Sequence, residues 1–156
     1  MNIFFLHYIQ SICARYHCDK HVVKMILETA QLLCTAIWCS GGEAPYKKTH
    51  MNHPSAIWAR KSKENWNWLH VLGLELCKEY TYRYGKIHKS QAIIESLKCP
   101  NISDIPFTPP PPAMPKMYKS KDSLLSYRLY YIFDKTRMLT WKKRDEPSWI
   151  KKTAPF

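Results

Sequence analysis

Several common protein classes leave marks that this sequence does not carry. The apolar opening Met1-Asn2-Ile3-Phe4-Phe5-Leu6 is too short for a secretory core and has no basic leader. No later apolar run reads as long enough to span a bilayer, so no membrane contact is expected. There is no paired CxxC, and of the six cysteines (Cys13, Cys18, Cys34, Cys39, Cys77, Cys99) several fall within apolar helical patterns. Free, partly buried thiols in a reducing compartment are therefore expected rather than a disulfide framework. The cytoplasm fits, or the nucleus or a viral factory if the host is eukaryotic. No internal repeat is evident. Acidic residues are few: 12 Asp and Glu stand against 24 Lys and Arg, a formal charge of +12. That excess goes beyond what solubility requires, and phosphate is the commonest partner for it.

What the chain does have is the material for a core. Its 156 residues are 46% apolar, enough for one domain and too apolar for a disordered basic tail. The expected architecture is a mainly α, compact single-domain fold over residues 1–156. A short extended segment or strand at residues 2–6 begins it. A helix follows from Asp19, a plausible N-cap, to Trp38, and Ser40-Gly41-Gly42 ends it. Pro54-Ser55 suits the start of a second helix running to Tyr84, with Trp58, Trp66, Leu69, Leu72, Leu76 and Tyr80 inward and Gly85 as the stop. A shorter helix is expected over Lys89–Leu97 and a last one over Asp122–Met138. Between these, residues 106–115 (PFTPPPPAMP) have too few amide donors for helix or central strand and form an extended strap across the domain. Residues 140–156 are a basic aromatic tail.

Three features carry candidate chemistry. On the first long helix, His21, Lys24, Glu28, Gln31 and Thr35 share one narrow sector at 100° per residue. Because the apolar sector around this stripe is unusually wide, the stripe is expected in a cleft. There Glu28, with Lys24 and His21 nearby, is a candidate general acid or base, or a partner for a developing cation. The second feature is Thr49-His50-Met51-Asn52-His53-Pro54, with Trp58 and Arg60 beyond it; histidines beside a helix start can contact phosphate. The third is the tail, where Trp141 and Trp149 alternate with Lys142, Lys143, Arg144, Lys151 and Lys152, the ingredients for stacking on bases while neutralising phosphates. Each also has a structural reading: a solvated face, turn histidines satisfying the backbone, and core anchoring of the tryptophans. His17, His21, His50 and His53 are weighed as zinc ligands, but nothing in their spacing fixes such an assembly. Neither metal nor cofactor is expected.

In this order the pieces resemble the phage pyrimidine-dimer DNA glycosylase and AP lyase family, a compact all-α group. The resemblance rests on His21 with Glu28 in HVVKMILETAQLL, on His53-Pro54 with Trp58, on Glu79 with Arg83-Tyr84-Gly85 and His88, and on Pro147-Ser148-Trp149-Ile150-Lys151. It implies an enzyme that flips a nucleotide out of duplex DNA and attacks the sugar C1′ with the α-amine of its N-terminal residue, Met1 or Asn2, supported by a helix glutamate, here Glu28. It further implies that Arg15, Lys24 and Arg60 hold phosphates, and that His53, Trp58 and the tail grip the DNA. His50, Arg83 and His88 complete the expected DNA-binding set. Ile3, Phe4 and Phe5 stand where the family has basic residues, and Asn2 where it has a small one, so a water activated by Glu28 is an alternative attacker. The function expected is a DNA N-glycosylase, with or without lyase activity, acting on a damaged or modified pyrimidine as a monomer. The alternatives are a non-catalytic nucleic-acid-binding module and a nuclease with a metal held by those four histidines.

Overall fold

The computed structural model describes residues 1–135 and 138–153, the side chains of 151–153 excepted. Seven α-helices are described: α1 (Gln10–Tyr16), α2 (Asp19–Cys39), α3 (Pro54–Ala59), α4 (Lys63–Tyr84), α5 (Gln91–Ser96), α6 (Ser123–Asp134) and α7 (Ser148–Thr153). A single 3-10 turn, Lys116–Tyr118, precedes α6, and no strand occurs among the described residues. The fold is mainly α, as expected. Residues 136 and 137, at the end of the expected last helix, and 154–156 of the tail lie outside the described residues, as do the side chains of Lys151 and Lys152.

The two long helices, α2 and α4, pack on each other, and α1 packs on α4. Gly73 of α4 marks the close approach: a β-carbon there would meet Thr29 Cγ2 of α2 at 3.0 Å and Ile94 of α5 at 3.4 Å. The opening segment is extended rather than a strand. Ile3, Phe4, Phe5 and Leu6 are all buried in the core with the apolar faces of α2 and α4. About 2 kcal/mol per side chain of this size accounts for a segment that has no ladder to hold it.

Five expectations about elements change. The helix from Pro54 does not run unbroken to Tyr84: Arg60–Ser62 interrupt it, and Ser62 caps α4 by accepting from the Asn65 amide at 3.0 Å. His53 caps α3 through its ring, accepting from the Ser55 amide, with Pro54 in the first turn where its missing amide costs nothing. Asp19 lies inside α2 rather than capping it, and Cys18 holds the cap position. The polar stretch before α2 contains α1, and the tail contains α7. Finally, α2 does have the length of a bilayer-crossing segment, with a mean hydropathy of 1.5, but 61% of that window is buried inside the fold. It is the central core helix of this protein.

Residues 107–113 form the strap, and side chains rather than a sheet satisfy its backbone. The Phe107 amide donates to Glu64 at 2.7 Å, that of Thr108 to Asn65 at 3.0 Å and that of Ala113 to Tyr127 Oη at 3.2 Å. Its carbonyls accept from Trp58 Nε1 at Thr108, from Ser123 at Pro110 and from Tyr127 at Pro111. The prolines supply no donors that would need partners, so the segment can lie against the core without orphaned amides. All six cysteines are free, four of them buried.

Candidate active site

Helix α2 presents its polar stripe beneath the chain start. Glu28, 9% exposed, is the centre of it. Its Oε1 accepts from the Asn2 backbone amide at 3.1 Å and lies 3.5 Å from the Met1 α-amine; its Oε2 lies 3.7 Å from Lys24 Nζ, one helical turn back. Asn2 is fixed on both sides. Its side-chain nitrogen donates to the Ala113 carbonyl at 2.9 Å, and its Oδ1 accepts from the Ile3 amide at 2.8 Å and from Tyr127 Oη at 2.9 Å. Strap, α6 and chain start thus meet at one residue and hold the first two nitrogens of the chain against one carboxylate.

Two openings flank this contact. A cleft of about 900 Å³ is lined by Lys24, Glu28 and Gln31 of α2, by Tyr46, Lys47, Thr49 and His50 of the following loop, and by His88, Lys89 and Ser90. A smaller cavity of about 360 Å³ is walled by Lys20, His21, Lys24, Glu28, Tyr130 and Lys135. Met1, Lys24 and Glu28 line both, so the amine and the carboxylate sit on the septum between them. Among the described residues, Glu28 is the sole acidic one on either wall. A carboxylate among lysines, shielded from bulk water, can stabilise positive charge forming on a substrate or pass a proton to and from an amine.

The cleft is built by local chemistry. Buried Thr35, at the end of the stripe, exchanges hydrogen bonds with the Thr49 backbone and pins the loop over α2. Tyr46 Oη and Ser90 Oγ meet at 2.8 Å across the rim, and His88 places a ring nitrogen 3.1 Å from the Val23 carbonyl. His50 takes a left-handed backbone conformation, φ 48°, and meets Thr49 Oγ1 at 2.8 Å. His53 titrates below the ordinary histidine range because of burial and, after it, the positive charges of the α-amine and His50.

His21 lines the smaller cavity, but it is not poised to exchange protons at neutral pH. Burial, then the charges of His17, Lys135 and Lys24, push it down to about 3, whereas an acid–base catalyst works best near the operating pH. Its ring stacks on Phe4 with centroids 4.0 Å apart. Tyr131 Oη accepts from the Cys18 amide, which leaves its own proton for His21 Nδ1 at 2.6 Å. His21 therefore anchors the Phe4 segment that carries the amine.

Several other residues expected at the DNA are held by contacts within the fold. Arg83 is 1% exposed; it donates to Glu79 at 2.7 Å, Asp19 at 3.0 Å and the Arg15 carbonyl at 2.9 Å, so no donor face remains for DNA. Burial alone would raise the Glu79 carboxyl, but hydrogen bonds from Arg144 and Arg83 outweigh it and hold it below the usual range. Trp58 is buried, with its indole on the strap. In the tail, Trp149 is buried with Arg128 over its ring at 5.1 Å, and Trp141 donates to the Tyr16 carbonyl at 2.9 Å, contacts that anchor both indoles to the fold. Lys142 lies over Tyr84, Lys143 over Tyr82, and Arg144 binds both Glu79 oxygens while covering Tyr82 at 4.1 Å. Arg60 holds the Met51 carbonyl at 2.7 Å, and exposed Arg15 lines neither opening.

Among the described residues no group of three or more His, Cys, Asp or Glu side chains could hold a metal. His17, His21, His50 and His53 are not gathered, and His17 instead donates from within the core to the Cys13 carbonyl at 2.7 Å. The metal-nuclease alternative loses its ligand set. Tyr46, Lys47, Lys89, Lys20 and Lys135 line the two openings without having been singled out in the sequence. The basic turn around residues 44–52 was the one available signal, for Lys47.

A carboxylate on a core helix, an amine against it and lysines around both make a site suited to an anionic substrate. The chain belongs to the pyrimidine dimer DNA glycosylase family, whose model matches residues 1–92, the stretch that supplies Met1, Lys24 and Glu28. Comparison with curated proteins and with solved structures gave no match.

Proposed function

We propose that the protein excises a damaged or modified pyrimidine from duplex DNA by amine attack at C1′, with Glu28 as the catalytic carboxylate, and that it then acts as an AP lyase. The single observation that carries this reading is the contact of the Met1 α-amine and the Asn2 amide with one buried carboxylate oxygen. The C1′–N bond to the enzyme forms as the bond to the base breaks, and the departing base takes up a proton. Opening of the sugar ring gives an imine. Loss of a C2′ proton then expels the 3′ phosphate, and water releases the enzyme. Glu28 stabilises the cationic sugar and carries the protons between these steps. If the first residue is removed, the Asn2 nitrogen already lies 3.1 Å from the same oxygen.

Borohydride added during reaction with a lesion-containing duplex should trap a covalent complex, with the adduct on the N-terminal peptide. Glu28→Gln should reduce base release by about 100-fold or more, the scale of an electrostatic catalytic contact. Base release that persists without trapping would replace the amine by a water, and a fully active Glu28→Gln would remove the carboxylate from the mechanism.

A further inference from the structure

The lysines around the septum fall into two sets on opposite sides of it. Lys20 and Lys135 wall the smaller cavity, Lys47 and Lys89 wall the larger cleft, and Lys24 stands between them beside Glu28. Lys20, Lys47 and Lys89 make none of the ion pairs found among the described residues. Lys20 sits in the first turn of α2, where a cation opposes the helix dipole, so helix stability does not account for it. Lys135 lies over the face of Tyr130, 4.7 Å away, and 3.9 Å from the Asp134 carboxylate, and its charge is felt at His21. These four residues come from α2, the loop after it, the turn before α5 and the end of α6, so the fold rather than a local run of charge brings them to the two walls.

A sugar held at the septum has one phosphate on its 5′ side and one on its 3′ side, and the two must leave in opposite directions. We propose that the attacked strand crosses the septum, with the phosphate on one side of the target sugar held by Lys20 and Lys135 and the phosphate on the other side by Lys47 and Lys89. The two openings then have a division of labour: each takes one anionic linkage, and the amine and Glu28 meet the carbon between them. This assignment rests on the proposed glycosylase reading.

The experiment pairs protein variants with neutralised phosphates. Duplexes containing a stable abasic-site analogue are made with a single methylphosphonate either 5′ or 3′ of the analogue, and binding is measured for the wild type, Lys20→Gln/Lys135→Gln and Lys47→Gln/Lys89→Gln. On the all-phosphate duplex each double variant should bind about tenfold more weakly at 0.1 M salt, with the slope of log K against log salt reduced by about 1. A methylphosphonate on one side should abolish the loss in one double variant and leave it in the other; moving it to the opposite side should exchange the two. Equal losses on every duplex, or no loss on any, would overturn the assignment. Borohydride trapping by the wild type is read in parallel. Trapping without the exchange defeats the strand path alone, whereas the exchange without trapping upholds the path and defeats the amine mechanism.

Discussion

Replacing Tyr127 by phenylalanine removes one oxygen from the place where strap, α6 and chain start meet. Tyr127 is fully buried, and burial pushes its hydroxyl well above the ordinary tyrosine range, so it is a neutral donor and acceptor. It accepts from the Ala113 amide at 3.2 Å and shares its proton between the Pro111 carbonyl at 2.8 Å and Asn2 Oδ1 at 2.9 Å. Without it, the Ala113 amide and the Pro111 carbonyl lose a partner, while Asn2 Oδ1 keeps only the Ile3 amide. Each buried group left unpaired costs about 1–3 kcal/mol, and these atoms are only partly enclosed, so a total of about 2–4 kcal/mol is expected in a urea titration. The functional consequence is separate. Asn2 is the residue whose amide meets Glu28, and a displacement of about 1 Å at a reacting pair can cost 100-fold in rate. Single-turnover base release should fall about 10- to 100-fold, with DNA affinity within about twofold of the wild type. Ser126→Ala, which removes a buried hydroxyl that bonds Ser120 and Asp122 and does not touch Asn2, serves as the control for destabilisation alone. A Tyr127→Phe enzyme that is destabilised yet releases base at the wild-type rate would refute the argument that the strap positions the chain start.

Two further outcomes follow from buried charge. Arg83→Met leaves Glu79 and Asp19 without their shared partner and should cost about 3–5 kcal/mol in a denaturant titration, with no change in the salt slope of DNA binding; a reduced slope with unchanged stability would return Arg83 to the DNA interface. Stability should also fall as the solution is acidified below about pH 6.5. His17 and His21 are held down to about 4 and about 3 by burial, so between pH 6.5 and those values the unfolded chain binds their protons and the folded chain does not. The loss is about 1.4 kcal/mol per pH unit for each histidine, and below about pH 4.5 protonation of the depressed Glu79 carboxyl adds to it. Thermal melts that do not change between pH 7 and pH 4.5 would contradict this.

The α2 stripe was legible in the sequence because a 3.6-residue period places Lys24, Glu28 and Gln31 on one line whatever packs around them. The start of α3 was legible because a Pro-Ser pair after a capping residue is local chemistry. The break before α4 was hidden, since Trp58 and Trp66 continue the inward spacing across it and only Ser62 Oγ, capping Asn65, marks the new start. Asp19 looked like a cap because its residue type suits one; its carboxylate instead receives Arg83, Thr140 and the Lys142 amide, partners 64 to 123 residues away. The tail misled for the same reason. Alternating Trp and Lys is equally good for stacking on bases and for pinning a terminal segment, and the deciding partners, Glu79, Tyr82 and the Tyr16 carbonyl, are remote in sequence.

The distribution of charge changes what the basic composition means. Arg83 and Arg144 are tied to Glu79, and the Lys142 and Lys143 ammonium groups lie over tyrosine rings, so the densest basic run is occupied in holding the last segment to α4. The charge that remains on the two openings is carried by lysines scattered singly along the chain. Such lysines are compact point charges suited to phosphate, without the flat fork by which arginine reads a base edge. A surface of this kind fixes where a backbone lies and leaves base identity to other groups. Beside those lysines the larger cleft also holds the Tyr46 ring, the Thr49 and Ser90 hydroxyls and the His50 ring, within the same walls as Glu28.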